Sequence, residues 1–216
     1  MTATTPRMLV PFHHLLAGGL ASLAPFAALA HHAHDYAPPA TVWQALASGL
    51  AHPLLSGPHL VALLALGMLA AARSQGGAML LAFCSGSALT AMAFAAGSGG
   101  WPAHDLWVAA TLALAAAGLW RARANAGPSQ LVILLLALLA GSIHGQIAAE
   151  SIATDNATLL ASYWVGIVIA QFALGAAVLI GLRRLSATRQ ALAGKVQRTA
   201  AALSAGAACG VFFALI

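Results

Sequence analysis

The sequence predicts an all-α protein, a polytopic bundle of transmembrane helices. Of its 216 residues, 61% are hydrophobic and only 6% are charged, and the mean hydropathy is +0.89. Soluble domains carry roughly 25% charged residues, so this composition indicates an integral membrane protein. The apolar residues form several runs close to the length of about 20 residues that a helix needs to cross a bilayer. The chain length suits one compact bundle and leaves no room for a second, soluble domain.

Residues 1–30 have the features of a secretory signal peptide. Arg7 precedes an apolar stretch over residues 15–29, and Ala28-Leu29-Ala30 forms a small-x-small cleavage site. The alternative is an uncleaved first transmembrane helix, which the prolines and histidines within the segment make less favourable. We therefore expect a mature chain that begins at His31. Mass spectrometry of the purified protein distinguishes the two, because a chain that still begins at its first residues contradicts cleavage.

Residues 31–40 form a His-rich tail, which we expect on the periplasmic side. His31, His32, His34 and Asp35 would surround the free α-amine of the cleaved chain. Such a cluster is suited to the capture of a soft-to-borderline divalent metal. The alternative is a short solvated tail without a ligand, and both interpretations fit these residues.

Residues 41–216 form the predicted transmembrane domain, and its first element is expected to be a broken span. Residues 41–51 are too short to cross, and residues 58–72 extend only roughly 22 Å as a helix. Between them lie Pro53, Gly57 and Pro58, and no regular helix runs through both prolines. The first span is therefore predicted to break between Pro53 and Pro58. A span interrupted by proline and glycine is a common sign of a binding site in transporters.

Five further spans are predicted, at residues 78–96, 106–120, 131–149, 159–182 and 199–216. If the mature N-terminus lies outside, every Lys and Arg falls in a cytoplasmic loop, as the positive-inside rule requires. The predicted outer loops contain no Lys or Arg, and their charged residues are the acidic Asp105, Glu150 and Asp155. The sequence thus predicts six spans after signal removal, with both ends of the mature chain outside. The positive-inside distribution of basic residues accounts for the net charge of +5. We therefore expect no nucleic-acid binding.

Three histidines inside the predicted spans are candidate metal ligands. His52 and His59 flank the predicted break, and His144 lies roughly 7–8 Å below the outer end of the fourth span. Together with Glu150 they are expected to converge in the outer half of the bundle. Ionisable residues inside a membrane indicate a functional site, and imidazole is a common ligand of transition metals. The alternative for His144 is a lone polar side chain bonded to a carbonyl. Gln171 is expected to form a hydrogen bond between helices, and the alternative is that it belongs to a transport pathway.

The segment H-P-L-L-S-G-P-H at residues 52–59, followed by L-V-A-L-L-A-L-G, resembles a known family signature. It is similar to H-P-x-x-G-x-D-H of the HupE/UreJ family, bacterial membrane proteins linked to nickel supply for hydrogenase and urease. Ser56 stands at the family's glycine and Pro58 at its aspartate. A weaker match to the family's second motif, H-G-x-A-H-G, begins at His144, where Ala148 replaces the second histidine. The resemblance covers most of the mature chain.

This resemblance implies a protein of the bacterial inner membrane that transports or handles a divalent transition metal for metalloenzyme maturation. The metal it implies is nickel, in preference to copper, cobalt or zinc. It assigns ligand roles to His52, His59 and His144, and periplasmic capture to Glu150 and the tail with His31, His32 and His34. The expected partners are the lipid bilayer and the metal ion, with other membrane proteins or a homo-oligomer left open. The alternative is a non-transporting accessory subunit of a membrane complex, because one aspartate and one histidine are replaced. No nucleophile–base pair is evident, so we expect no enzymatic activity.

Overall fold

The computed structural model describes residues 38–97, 100–102, 104–121, 129–152 and 154–214. These residues contain seven α-helices and no strand, in agreement with the predicted all-α class. The helices are α1 (Val42–Leu55), α2 (Gly57–Ala71), α3 (Gly76–Ala95), α4 (His104–Arg121), α5 (Gln130–Glu150), α6 (Ala157–Thr188) and α7 (Gln190–Phe213). The predicted signal peptide and the tail histidines His31, His32 and His34 lie outside the described residues.

Three of these helices, α3, α5 and α6, are long and apolar enough to cross a membrane. The pair α1 and α2 is long and apolar enough when taken together, although the two helices meet at a bend of 75°. The described residues therefore contain three candidate spans, or four if the bent pair is one span. Helices α4 and α7 occupy the places of the predicted third and sixth spans but are less apolar, since α4 includes Asp105 and Arg121 and α7 contains Lys195 and Arg198.

A break separates α1 from α2 between His52 and His59, as predicted, but it is narrower than expected. Only Ser56 leaves the helical conformation, with φ −87° and ψ 107°. Pro58 lies in the first turn of α2, where a missing N–H has no consequence. Pro53 lies inside α1, where its missing N–H removes one i→i−4 bond, and the Ser56 N–H still donates to the His52 carbonyl. The chain therefore turns at a single residue rather than over the whole segment between the prolines.

Glycines allow the helices to approach closely. Helix α3 packs most extensively on α5, α1 on α6 and α4 on α7. A Cβ atom at Gly86 of α3 would overlap the carbonyl of Leu138, and one at Gly141 of α5 would overlap the carbonyl of Phe83. Such small-residue contacts are the usual basis of helix association in membranes. The α3–α5 pair thereby becomes the rigid support from which His144 projects.

Buried polar side chains cross-link the same helices. The Ser87 hydroxyl donates to the Gly141 carbonyl at 2.9 Å, which joins α3 to α5. The Gln171 Nε2 atom donates to Ser87 Oγ at 3.1 Å, which joins α6 to both. The expected role of Gln171 as an interhelical hydrogen-bond partner is therefore confirmed. This network holds the interior of the bundle in one register.

Replacing Gly141 with alanine is expected to lower the free energy of unfolding by about 1–3 kcal/mol, the usual cost of overpacking. The added methyl group would meet the Phe83 backbone, which has no rotamer by which to move aside. The matched control is Gly181→Ala in α6, where the added Cβ meets no atom within 4 Å, so the helix gains stability from alanine. Denaturant titration in mixed micelles measures both variants. Equal stabilities would contradict the close α3–α5 packing.

Candidate metal site

The break between α1 and α2 brings two histidine rings into contact at a tilt of 48°. His52 lies in the last turn of α1 and His59 in the first turn of α2. The Nε2 atom of His52 lies 3.2 Å from Nδ1 of His59, and the ring centroids are 5.0 Å apart. One ring therefore donates a hydrogen bond to the other. The 75° bend places the two rings on the same side of the chain.

The third histidine reaches the same place from α5. The ring centroid of His144 lies 5.0 Å from that of His59 and 5.8 Å from that of Phe83. His144 is 1% exposed and His59 5% exposed. Residues His52, His59 and His144, here called the histidine cluster, thus form a continuous row contributed by three helices. The structure brings together these three sequence-predicted candidates.

Thr111 of α4 determines the tautomer of His144. Its Oγ1 atom lies 2.8 Å from the Val108 carbonyl oxygen and 3.0 Å from His144 Nε2. A carbonyl only accepts, so the single hydroxyl proton goes to Val108, and His144 Nε2–H must donate to the hydroxyl oxygen. A neutral His144 therefore carries its proton on Nε2. Its Nδ1 atom is left with a free lone pair.

Two ring nitrogens of the cluster are open. Nδ1 of His144 and Nε2 of His59 are buried and have no hydrogen-bond partner within the described residues. A buried polar atom without a partner costs about 1–3 kcal/mol, and most such atoms in proteins are satisfied. Five other buried polar atoms of the described residues also lack a partner, but only these two are ring nitrogens of neighbouring histidines, as a metal site requires.

The site is bordered on the side of α6 by Tyr163, which packs against Ala148 of α5. The Tyr163 ring stands edge-on to His52, with centroids 6.0 Å apart, and its hydroxyl donates to the Ala148 carbonyl at 3.2 Å. Ala148 is 1% exposed and packs with Tyr163 in an apolar cluster. A histidine at position 148 would have to displace this packing. The cluster therefore uses one histidine of α5 rather than two.

Glu150 lies in a separate polar group at the end of α5. Its Oε1 atom accepts from Gln146 Nε2 at 2.7 Å, and its Oε2 atom lies 3.5 Å from His104 Nδ1. His104 Nε2 lies 3.5 Å from Asp105 Oδ1. Within the described residues, Glu150 therefore pairs with His104 and Gln146, and the expectation that it shares the outer half of the bundle with the three histidines stays a prediction.

Two residues of these groups, Thr111 and His104, were missed by sequence reasoning. Thr111 is one polar residue in an apolar helix, and no spacing marks it as a partner of His144. His104 stands beside Asp105 in a predicted outer loop, and that His-Asp pair was the available signal. Both residues belong to α4, the helix that carries no motif.

In the part of the chain that the structure describes, no three His, Cys, Asp or Glu side chains are arranged to hold one metal ion. In the histidine cluster, one nitrogen of His52 and one of His59 are engaged with each other. The Nε2 atom of His144 is engaged with Thr111. This conformation is a row of imidazoles in which only His52 and His59 are hydrogen-bonded to each other, with two open nitrogens, and not a closed ligand shell.

Comparison with known proteins identifies the family. The family model described as HupE / UreJ protein matches residues 19–212, nearly the whole chain. The matched region includes the residue 52–59 motif and His144. No curated protein and no solved structure is significantly similar to the chain. Because the match extends over far more than half of its length, the chain belongs to the HupE/UreJ family.

Proposed function

We propose that this protein carries a divalent transition metal across the bacterial inner membrane for metalloenzyme maturation, with nickel as the preferred ion. Membership in the HupE/UreJ family implies nickel or cobalt handling for hydrogenase or urease maturation. The observation that supports transport most directly is the histidine cluster, a row of three imidazoles in which His59 and His144 are buried and each has one ring nitrogen without a hydrogen-bond partner within the described residues. Such a row offers neutral ligands in the interior of a helical bundle.

The chemistry of the cluster favours a transition metal over a hard cation. Neutral imidazoles bind Ni²⁺, Cu²⁺ and Zn²⁺, whereas Mg²⁺ and Ca²⁺ require oxygen ligands. Pro58 takes the place of the motif's carboxylate beside His59. Glu150, an acidic side chain at the end of α5, pairs with His104 and Gln146. The cluster therefore selects for ions that accept nitrogen ligands.

An entering ion would replace the hydrogen bond between His52 and His59. Two nitrogens that ligate one ion at 2.0–2.1 Å lie roughly 3.3 Å apart in tetrahedral geometry, close to the 3.2 Å between these rings. The free Nδ1 lone pair of His144 would be the third ligand, and Nε2 of His59 would then carry the proton of that ring because its Nδ1 binds the ion. Because the ligands are not arranged around the ion before it binds, part of the binding energy is used to rearrange them, and the ion is held less tightly. This suits a carrier, which has to release its ion.

We assign six spans to the mature protein, with both ends in the periplasm and the bent α1–α2 pair as the first span. Helices α4 and α7 then complete the crossings. This arrangement puts the basic residues 73, 121, 123, 183, 184, 189, 195 and 198 at one end of the bundle, as the positive-inside rule requires. Glu150 with His104, and the tail with His31, His32 and His34, would then face the periplasm as a capture region.

Metal uptake into proteoliposomes tests the proposal. We expect Ni²⁺ added outside to reach a metal-sensitive dye inside the vesicles, and Co²⁺, Cu²⁺ and Zn²⁺ to enter more slowly. Vesicles with His59→Ala should resemble empty vesicles. Absence of uptake by the folded wild type would contradict transport.

A second candidate function, a non-transporting accessory subunit, is favoured by Pro58 in place of the aspartate and by the unclosed ligand set of the described residues. It predicts that the wild type takes up no metal in vesicles and co-purifies with subunits of a membrane complex. Metal uptake by the protein alone would exclude this candidate as the full account of its activity.

A further inference from the structure

A cavity of about 470 Å³ lies between α2, α3, α4 and α5. This volume is within the range of about 300–1,000 Å³ that small-molecule sites have. Most of the lining is apolar, with Thr111 and His144 at one end and Arg73 and Arg121 at the other. Along α4, Arg121 follows Thr111 by ten positions, a distance of about 15 Å. The cavity is therefore long, apolar over most of its length, and basic at one end.

The cavity opens sideways between α4 and α5. Trp107 and Leu114 of α4 line it, as do Leu136 and Leu139 of α5, and all four side chains are exposed. Helix α4 packs mainly on α7 and α2, and only slightly on α5. The gap between α4 and α5 is thus open at the surface of the bundle, so that a hydrocarbon chain can enter from the side.

The two arginines at the end of the cavity have no acidic partner. Within the described residues, the ion pairs involve only His104 with Asp105 and Glu150. The neighbouring Arg183 differs, because its guanidinium donates to the backbone carbonyls of Ala71 and Arg73. Arg73 and Arg121 instead line the cavity at this end, and no ion pair found among the described residues involves them. Arginine binds phosphate through its planar array of donors.

We propose that this cavity binds an anionic phospholipid, with the phosphate at Arg73 and Arg121 and one acyl chain between α4 and α5. The apolar lining fits hydrocarbon and the basic end fits a phosphate at the membrane surface. The same features disfavour a divalent cation, which the two guanidinium charges repel. The lipid site goes beyond the proposed metal transport and does not depend on it.

Native mass spectrometry of the delipidated full chain in detergent tests the site, with equal amounts of dioleoyl phosphatidylglycerol and dioleoyl phosphatidylcholine as probes. We expect one lipid to be retained by the wild type, with phosphatidylglycerol preferred. Removing the charges in Arg73→Gln and Arg121→Gln should lower this preference about fivefold for each arginine. Filling the cavity mouth in Ala110→Trp should abolish retention of both lipids, because the indole occupies the space of the acyl chain.

Two controls match these variants. Arg184→Gln removes an exposed charge at the same end of the bundle, and Ala113→Trp adds an exposed indole to α4 outside the cavity lining. Both should retain phosphatidylglycerol as the wild type does. Equal preference in Arg73→Gln, Arg121→Gln and Arg184→Gln would overturn the headgroup assignment. Equal retention in Ala110→Trp and Ala113→Trp would overturn insertion into the cavity.

Discussion

Replacing either His59 or His144 with alanine is expected to abolish binding of Ni²⁺, Cu²⁺ and Zn²⁺. Each variant removes one of the two rings that carry an open buried nitrogen. A neutral nitrogen site without a carboxylate depends on every imidazole, since no remaining ligand can take over the lost bond. Isothermal titration calorimetry of the detergent-purified protein at fixed pH measures the effect. Wild-type affinity in both alanine variants would identify these histidines as structural polar contacts.

The opposite change, Pro58→Asp, is expected to tighten metal binding. Pro58 lies in the first turn of α2, next to His59, where a carboxylate is favoured by the helix dipole. The variant would restore the anion that the HupE/UreJ motif carries at this position. An unchanged or weaker affinity would contradict a ligand site at the α1–α2 break.

Gln171→Ala is the control for these titrations. Gln171 is buried in the same bundle but bonds to Ser87 of α3, and an amide is a weak ligand for nickel or copper. We expect lower stability with unchanged metal affinity. Loss of metal binding in this variant would show that the assay reports the fold instead of the ligands.

Replacing Thr111 with valine is expected to lower metal affinity about 10–100-fold, the usual effect of removing a partner that orients a ligating histidine. The hydroxyl accepts the Nε2 proton of His144 and thereby keeps the Nδ1 lone pair free. Without it, a proton can reside on either nitrogen of His144. Thr111→Ser should retain wild-type affinity, because serine keeps the hydroxyl.

The tautomer itself can be observed by ¹⁵N NMR of histidine-labelled protein. We expect a single Nε2–H form of His144 in the wild type and in Thr111→Ser, and a mixture in Thr111→Val. The control Thr90→Val removes a hydroxyl whose bonds go to the carbonyls of Gly86 and Ser142, so His144 should be unaffected. Identical His144 spectra in Thr111→Val and the wild type would refute the positioning role of Thr111.

Local features of the sequence were enough to predict the fold class, the family and most of the helix positions. Hydropathy located α3, α5 and α6 because a run of apolar side chains is itself the property that places a helix in lipid. Pro58 predicted the break because proline acts on its own backbone and on the preceding turn. The motif at residues 52–59 indicated the HupE/UreJ family, which the family match confirms.

The tertiary structure decided which side chains meet. Thr111 and His144 are 33 residues apart and come together only because α4 packs against α5. Glu150 pairs with His104 rather than with the histidine cluster, since the rotation of α5 is set by its glycine contacts with α3. The cavity lined by α2, α3, α4 and α5 likewise arises from the gap that α4 and α5 leave between them. Hydropathy indicates the environment of each residue along one helix. These contacts depend instead on the rotation and crossing of the helices, and packing between distant segments determines both.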